Sequence, residues 1–126
     1  MYAISLASEF VAQHFLIGGD WGRENNLNSH TYKIEVTIES KTLDQHGYLL
    51  DIVEFQRVID LMKEKYRDVT LNDLIEFTGI NPSLEHFCRI YCEDVLRLLN
   101  TSNFYKINVE IWEDSVASAT YMKMLN

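Results

Sequence analysis

The chain has 126 residues, 47% of them hydrophobic, and carries 11 Lys and Arg against 19 Asp and Glu, for a formal net charge of −8. That length and apolar content supply a core without disulfides or metals, which excludes a disordered chain or a miniprotein framework and predicts one domain over 1–126. A charge of this sign, with no Lys/Arg cluster to offset it, repels phosphate backbones and argues against a nucleic-acid partner.

No stretch has the apolar length of a membrane span, and the first residues read as neither signal nor transit peptide. The two cysteines, Cys88 and Cys92, lie four apart in a helical pattern and read as packing residues rather than a disulfide framework. The expectation is a soluble, cytoplasmic protein without membrane contacts.

In chain order, Tyr2 to Leu16 alternates loosely and reads as a strand, interrupted or bulged near Ser8-Glu9. Gly18 to Asn26 is too rich in Gly and Asn for a regular element and too long for a tight turn, and long polar loops often carry function. Tyr32 to Glu39 alternates strictly, which puts Tyr32, Ile34, Val36 and Ile38 on one face and Lys33, Glu35, Thr37 and Glu39 on the other.

After a turn at Asp44-Gly47, Asp51 is placed to accept the first free amides of a helix running to about Tyr66. Its apolar stripe is Ile52, Phe55, Val58, Ile59, Met62 and Tyr66. A second helix follows Asn81-Pro82, with Ser83 as its cap, Glu85 complementing its dipole, and a stripe of Leu84, Phe87, Cys88, Tyr91, Val95 and Leu98. Lys106 to Trp112 and Ala117 to Met124 then read as strands about the Glu113-Asp114-Ser115 turn. The order strand, strand, helix, helix, strand, strand predicts an α+β fold, a four-stranded antiparallel sheet with two helices packed on one face.

The residues able to carry chemistry gather near strand ends. His14 closes the first strand and His30 opens the second, so pairing of these strands brings two imidazoles together. Asn28, two residues before His30 on extended chain, shares its face and offers a harder oxygen donor. Catalytic zinc usually takes three protein ligands, and His14, Asn28 and His30 make such a set. Glu24, in the long loop, is a carboxylate of the kind that serves as general base beside a metal or substrate. Glu113, at a strand end, can accept two parallel hydrogen bonds from a guanidine-like N–H pair. Asp68 and Asp73 cap or terminate helices on the simplest reading, and His46 and His86 read as ordinary polar residues.

Taken together, these segments resemble the 6-pyruvoyl-tetrahydropterin synthase and 6-carboxy-tetrahydropterin synthase family. Phe10-Val11-Ala12-Gln13-His14 is similar to its first zinc-histidine motif, and His30-Thr31-Tyr32 to the end of its His-Gly-His-x-Tyr motif. Gly47 to Asp51, Leu71-Asn72-Asp73 and Asn81-Pro82-Ser83-Leu84-Glu85 match three further motifs in order.

The resemblance implies a tunnelling fold, a homo-hexamer built as a dimer of trimers, a zinc cofactor and a small-molecule pterin substrate. It implies that Glu113 anchors the pterin ring and that the chain is a metal-dependent lyase acting on the side chain of 7,8-dihydroneopterin triphosphate or a related pterin. Departures accompany the matches. Asn28 replaces the first histidine of the pair, Ser29 replaces the glycine, and Glu24 stands where one branch has its catalytic cysteine. The family's Asp-His pair falls on Arg67-Asp68, which leaves Asp68 as the candidate catalytic residue there beside Glu24. The alternative is a tunnelling-fold protein that binds a pterin or purine-like heterocycle without lyase activity.

Overall fold

The computed structural model describes residues 1–101 and 103–125. Four strands form one antiparallel sheet in the order β1 (Tyr2–His14), β2 (Asn28–Ser40), β3 (Lys106–Glu113) and β4 (Ala117–Met124). Two helices, α1 (Ile52–Tyr66) and α2 (Leu84–Leu98), lie between β2 and β3 in sequence. Short 3-10 turns occupy Gly22–Asn25, Leu71–Asp73 and Ile75–Phe77. This is the expected two-layer arrangement, and it leaves β1 and β4 as open edges.

Alternation along β2 sets the layers. Tyr32, Ile34, Val36 and Ile38 are buried beneath the helices, together with Ile107, Val109 and Ile111 of β3. From the helices come Phe55, Val58, Ile59, Met62 and Tyr66 of α1, and Phe87, Cys88, Tyr91 and Val95 of α2. Both cysteines are fully buried and free, and burial pushes the Cys92 thiol up to about 11, as befits packing residues. Asp51 accepts from Val53 N–H at 2.9 Å and Ser83 accepts from His86 N–H at 3.1 Å, so both helices start where their caps were expected. Among the described residues, no helix is long and apolar enough to cross a membrane.

Three details differ from the sequence reading. β1 carries no bulge at Ser8-Glu9: it pairs with β2 in unbroken register from Tyr2 opposite Ser40 to His14 opposite Asn28. A small polar pair is tolerated there because Ser8 and Glu9 lie in an edge strand, half open to solvent. The same strand stops at His14, and β2 begins two residues before His30, so Asn28 belongs to the ladder. The helix stripes are shorter than their periodicity suggested, with Ile52 48% and Leu98 40% exposed. Leu99, four residues after Val95, is buried in place of Leu98.

Candidate functional site

The β1–β2 register determines the site. His14 lies opposite Asn28 and Ala12 opposite His30, while Glu113 of β3 lies opposite Tyr32. The side chains of one face alternate, so His14, Asn28, His30, Tyr32 and Glu113 all end on the helix-covered face at one end of the sheet. The two imidazole rings come within 4.7 Å of each other, centre to centre. His14 is buried, and the His30 side chain is 12% exposed.

Each imidazole has one nitrogen engaged away from the other. Nδ1 of His14 pairs with the Tyr32 hydroxyl at 2.9 Å, and Nδ1 of His30 pairs with Asp114 Oδ2 at 2.5 Å. Both Nε2 atoms are therefore turned toward Glu24, whose Oε2 lies 3.4 Å from His14 Nε2 and 4.0 Å from His30 Nε2. Asn28 Oδ1 is in direct contact with His30 Nε2. Its amide nitrogen donates to the carbonyls of His14, at 3.0 Å, and Asn26, at 2.8 Å, which fixes the oxygen as the atom facing the histidine. Glu113 Oε1 stands on the other side of the ring, 3.5 Å from His30 Nδ1.

The electrostatics follow from this crowding. Burial, then the charges of Glu113, Asp114 and Glu24, pushes the Tyr32 phenol far above its ordinary value, so it remains protonated beside His14. The His30 hydrogen bond, aided by the Thr31 N–H, holds the Asp114 carboxyl below the usual carboxylate range.

Glu24 is placed by the loop that the sequence left irregular. It sits in the Gly22–Asn25 turn, and its carbonyl accepts from Leu16 N–H at 2.7 Å. Asn25 joins the two ends of that loop, accepting from Trp21 N–H and donating to the carbonyls of Leu16 and Gly19. Trp21 lies over Gly19, so that a Cβ there would meet the half-exposed indole at 2.8 Å and displace it. Two asparagines from the segment between the helices support the exit of β1. Asn72 bonds both the N–H and the C=O of Phe15, and Asn81 accepts from Ile17 N–H.

A cavity of about 280 Å³ opens beside these groups, lined by His14, Leu16, Glu24, Glu113 and residues Pro82 to Glu85 at the start of α2. Two apolar depressions elsewhere, of about 240 and 430 Å³, lie near the start of α1 and have no histidine in their walls. The candidate residues His14, Asn28, His30, Glu24 and Glu113 are thus brought together. Asp68 stands apart from them: its side chain is exposed, its φ is +60°, and its backbone N–H donates to Val11 C=O. Sequence reasoning gave no role to Tyr32 and left Asp114 as a turn residue. The signal for Tyr32 was present in its two-residue spacing from His30, whereas Asp114 acts through a hairpin geometry that spacing does not reveal.

The donor set also bears on a metal. His14, His30 and Glu113 each bring a ligating atom within 4.8 Å of the others, and Asn28 and Glu24 add oxygens on the Nε2 side. Two imidazoles with one or two oxygens suit zinc and neighbouring divalent cations. The residues present therefore fit a metal site.

A ββααββ sheet-and-helix layer with paired histidines and carboxylates at one sheet end defines the class of protein. The family model described as 6-pyruvoyl tetrahydropterin synthase matches residues 3–124, and the chain belongs to that family. It is 28% identical, over 98 residues covering 77% of this chain and 79% of the relative, to an Archaeoglobus fulgidus protein named "Putative 6-carboxy-5,6,7,8-tetrahydropterin synthase". Its fold matches Caenorhabditis elegans 6-pyruvoyl tetrahydropterin synthase with a TM-score of 0.81, at 21% identity, over 95% of this chain and 94% of that one. A Plasmodium vivax 6-pyruvoyltetrahydropterin synthase, solved with its catalytic glutamate replaced by alanine, matches with a TM-score of 0.69 at 15% identity, over 99% and 100% of the two chains. These likenesses confirm the tunnelling fold expected from the motifs.

Proposed function

We propose that this tetrahydropterin-synthase-like protein is a zinc-dependent lyase that acts on the side chain of 7,8-dihydroneopterin triphosphate or a related pterin, as a homo-hexamer. The observation that carries the reading is the convergence of His14, Glu24 and Glu113 on one cavity, with His30 directly behind them, 4.0 Å from Glu24 and 3.5 Å from Glu113. The family's activity and the catalytic glutamate of the P. vivax protein support it.

His14 and His30, through Nε2, and Asn28, through Oδ1, would hold the zinc. When bound there, a divalent cation acidifies protons on side-chain oxygens that it polarises. Glu113 accepts two parallel hydrogen bonds from the amino and ring N–H groups of the pterin, which fixes the ring and points its side chain toward the histidines. Glu24 accepts the proton from the side chain, as a carboxylate held within 4.0 Å of both imidazoles. Asn25 and the Leu16 bond hold the loop and the Glu24 backbone, from which the carboxylate reaches both imidazoles. Asp68 carries no step in this reading, because among the described residues no hydrogen bond or ion pair joins its carboxylate to the cluster.

A second reading, heterocycle binding without lyase activity, is favoured by Asn28, since an amide oxygen is a poorer zinc donor than the imidazole it replaces. Elemental analysis of tag-free protein, with His14→Ala as control, separates the two. Near-stoichiometric metal that is lost in the control, with turnover of dihydroneopterin triphosphate, supports the lyase. Protein that stays metal-free after zinc is supplied, yet binds pterin, establishes the second reading.

A further inference from the structure

The β3–β4 hairpin turns through Asp114 and Ser115, both with positive φ, 52° and 58°, and is closed by Val116 N–H donating to Glu113 C=O at 3.0 Å. Two consecutive left-handed residues are the mark of a type I′ turn, in which Asn-Gly is strongly preferred. Asp114 suits the first of these positions, and Ser115 stands where glycine is preferred at the second, so any backbone cost falls on Ser115. The carboxylate at 114, besides suiting the turn, has a further use outside it.

That use is visible in its two oxygens. Oδ1 accepts from Thr31 N–H at 2.8 Å and Oδ2 meets His30 Nδ1 at 2.5 Å. The Asp114 N–H in turn donates to Thr31 C=O at 2.8 Å, so the turn is clamped to β2 at the residue following His30. An ionised carboxylate has no proton to give, so a neutral His30 must carry its proton on Nδ1. Nε2 is then a bare lone pair, and it faces Asn28 Oδ1, which is also an acceptor because the Asn28 amide nitrogen is committed to two carbonyls. Two acceptors in contact call for a cation or a proton between them.

We infer that Asp114 is a positioning residue that sets the tautomer of His30, holding its proton on Nδ1 and presenting Nε2, together with Asn28 Oδ1, as a preformed pair of cation-ligating atoms. The inference deepens the proposed metal site and rests on it only for its consequence, since the tautomer is a property of the protein alone. Carboxylate partners of this kind orient metal-binding imidazoles and raise their basicity, and their loss typically costs about 10- to 100-fold in metal affinity.

The test is Asp114→Asn, a residue that tolerates positive φ and keeps the turn. Its one acceptor oxygen can serve Thr31 N–H only by turning its NH₂ toward His30 Nδ1. Nitrogen-15 chemical shifts of the His30 ring in metal-free protein, followed over a pH series and read in the neutral limit, report the tautomer directly. The expected result is the Nδ1–H form in the parent and a shift toward the Nε2–H form in the variant. An Nε2–H parent would overturn the inference. So would an unchanged variant, for example one in which Glu113, 3.5 Å from Nδ1, takes over the proton.

Zinc affinity measured by competition supplies the second arm. A fall of about 10-fold or more is the expected consequence. A tautomer that switches while zinc affinity stays constant would leave Asp114 as the positioning group and remove His30 from the metal site, which separates failure of the proposed function from failure of this inference.

Discussion

Asn72 grips the backbone of Phe15 at both ends, accepting from its N–H at 3.0 Å and donating to its C=O at 2.8 Å. A single side chain thus does for the end of β1 what a neighbouring strand does along its length. Asn81 continues the pattern two residues later with a 2.6 Å bond from Ile17 N–H, and Leu16 between them turns the opposite way to bond Glu24. Asn72→Ala strips partners from two part-buried backbone groups and is expected to cost about 1–3 kcal/mol, read as a lower denaturant midpoint at unchanged slope. Faster amide exchange confined to residues 15–17 would accompany it. An unchanged midpoint would show that these bonds are not made in solution.

Glu113 lies opposite Tyr32 in the β2–β3 ladder and opens onto the cavity beside His14. Glu113→Gln replaces one acceptor oxygen with a donor, so a heterocycle offering two N–H groups meets a mismatched partner. Binding of a pterin, followed by calorimetry, is expected to be lost while oligomer size by ultracentrifugation stays the same. Undiminished affinity would end the anchoring assignment.

Glu24→Gln keeps the shape of the loop, whose contacts run through the Glu24 backbone and through Asn25. The expected outcome is pterin binding close to that of the parent, with turnover reduced by about 100-fold or more, the scale of a lost general base. A fully active variant would rule out the carboxylate as base.

The helices are tied by a buried acid. Asp94 of α2 is 2% exposed; its Oδ2 accepts from the Tyr66 hydroxyl and from Lys65 Nζ at 2.9 Å, and Arg97 pairs with its charge. Tyr66→Phe removes a donor from a charge that cannot reach water. Its expected cost is about 1–3 kcal/mol in urea unfolding, and a smaller effect than surface substitutions show would contradict the pairing.

Lys65 also bonds Glu76 at 2.6 Å, and this bond holds the Glu76 carboxyl below its ordinary value. A carboxyl with a depressed folded-state pKa stabilises the fold above its unfolded-state value and loses that contribution as pH falls through the folded one. Glu76→Gln is therefore expected to be less stable than the parent at neutral pH, by about 1 kcal/mol or less for so partly exposed a pair, and to match it in acid. Thermal melts of both proteins from pH 7 down to pH 3 read the convergence. Parallel curves would exclude the contribution.

Much of the molecule was legible in the chain because its signals are local. Strict alternation fixed the face of β2, three- and four-residue steps fixed α1 and α2, and Asp51 and Ser83 announced their starts, since each depends on neighbours within a turn or a pleat. The pairing of His14 with His30 followed from two strands joined by one loop. Local signals also misled at Ser8-Glu9, where Glu9 faces Lys33 on the open side of the sheet and the ladder runs on unbroken.

What the tertiary structure decided are relationships across long intervals of sequence. Asp114 reaches His30 over 84 residues, Asn72 reaches Phe15 over 57, and Glu113 comes beside them by register with Tyr32. No periodicity encodes such contacts, because each depends on strand order and on which atom of a side chain is already spent on another partner. Residue types and their order determined the fold and nominated the site. Only the three-dimensional pairing of donors with acceptors decided which nitrogen and which oxygen are left to face a ligand.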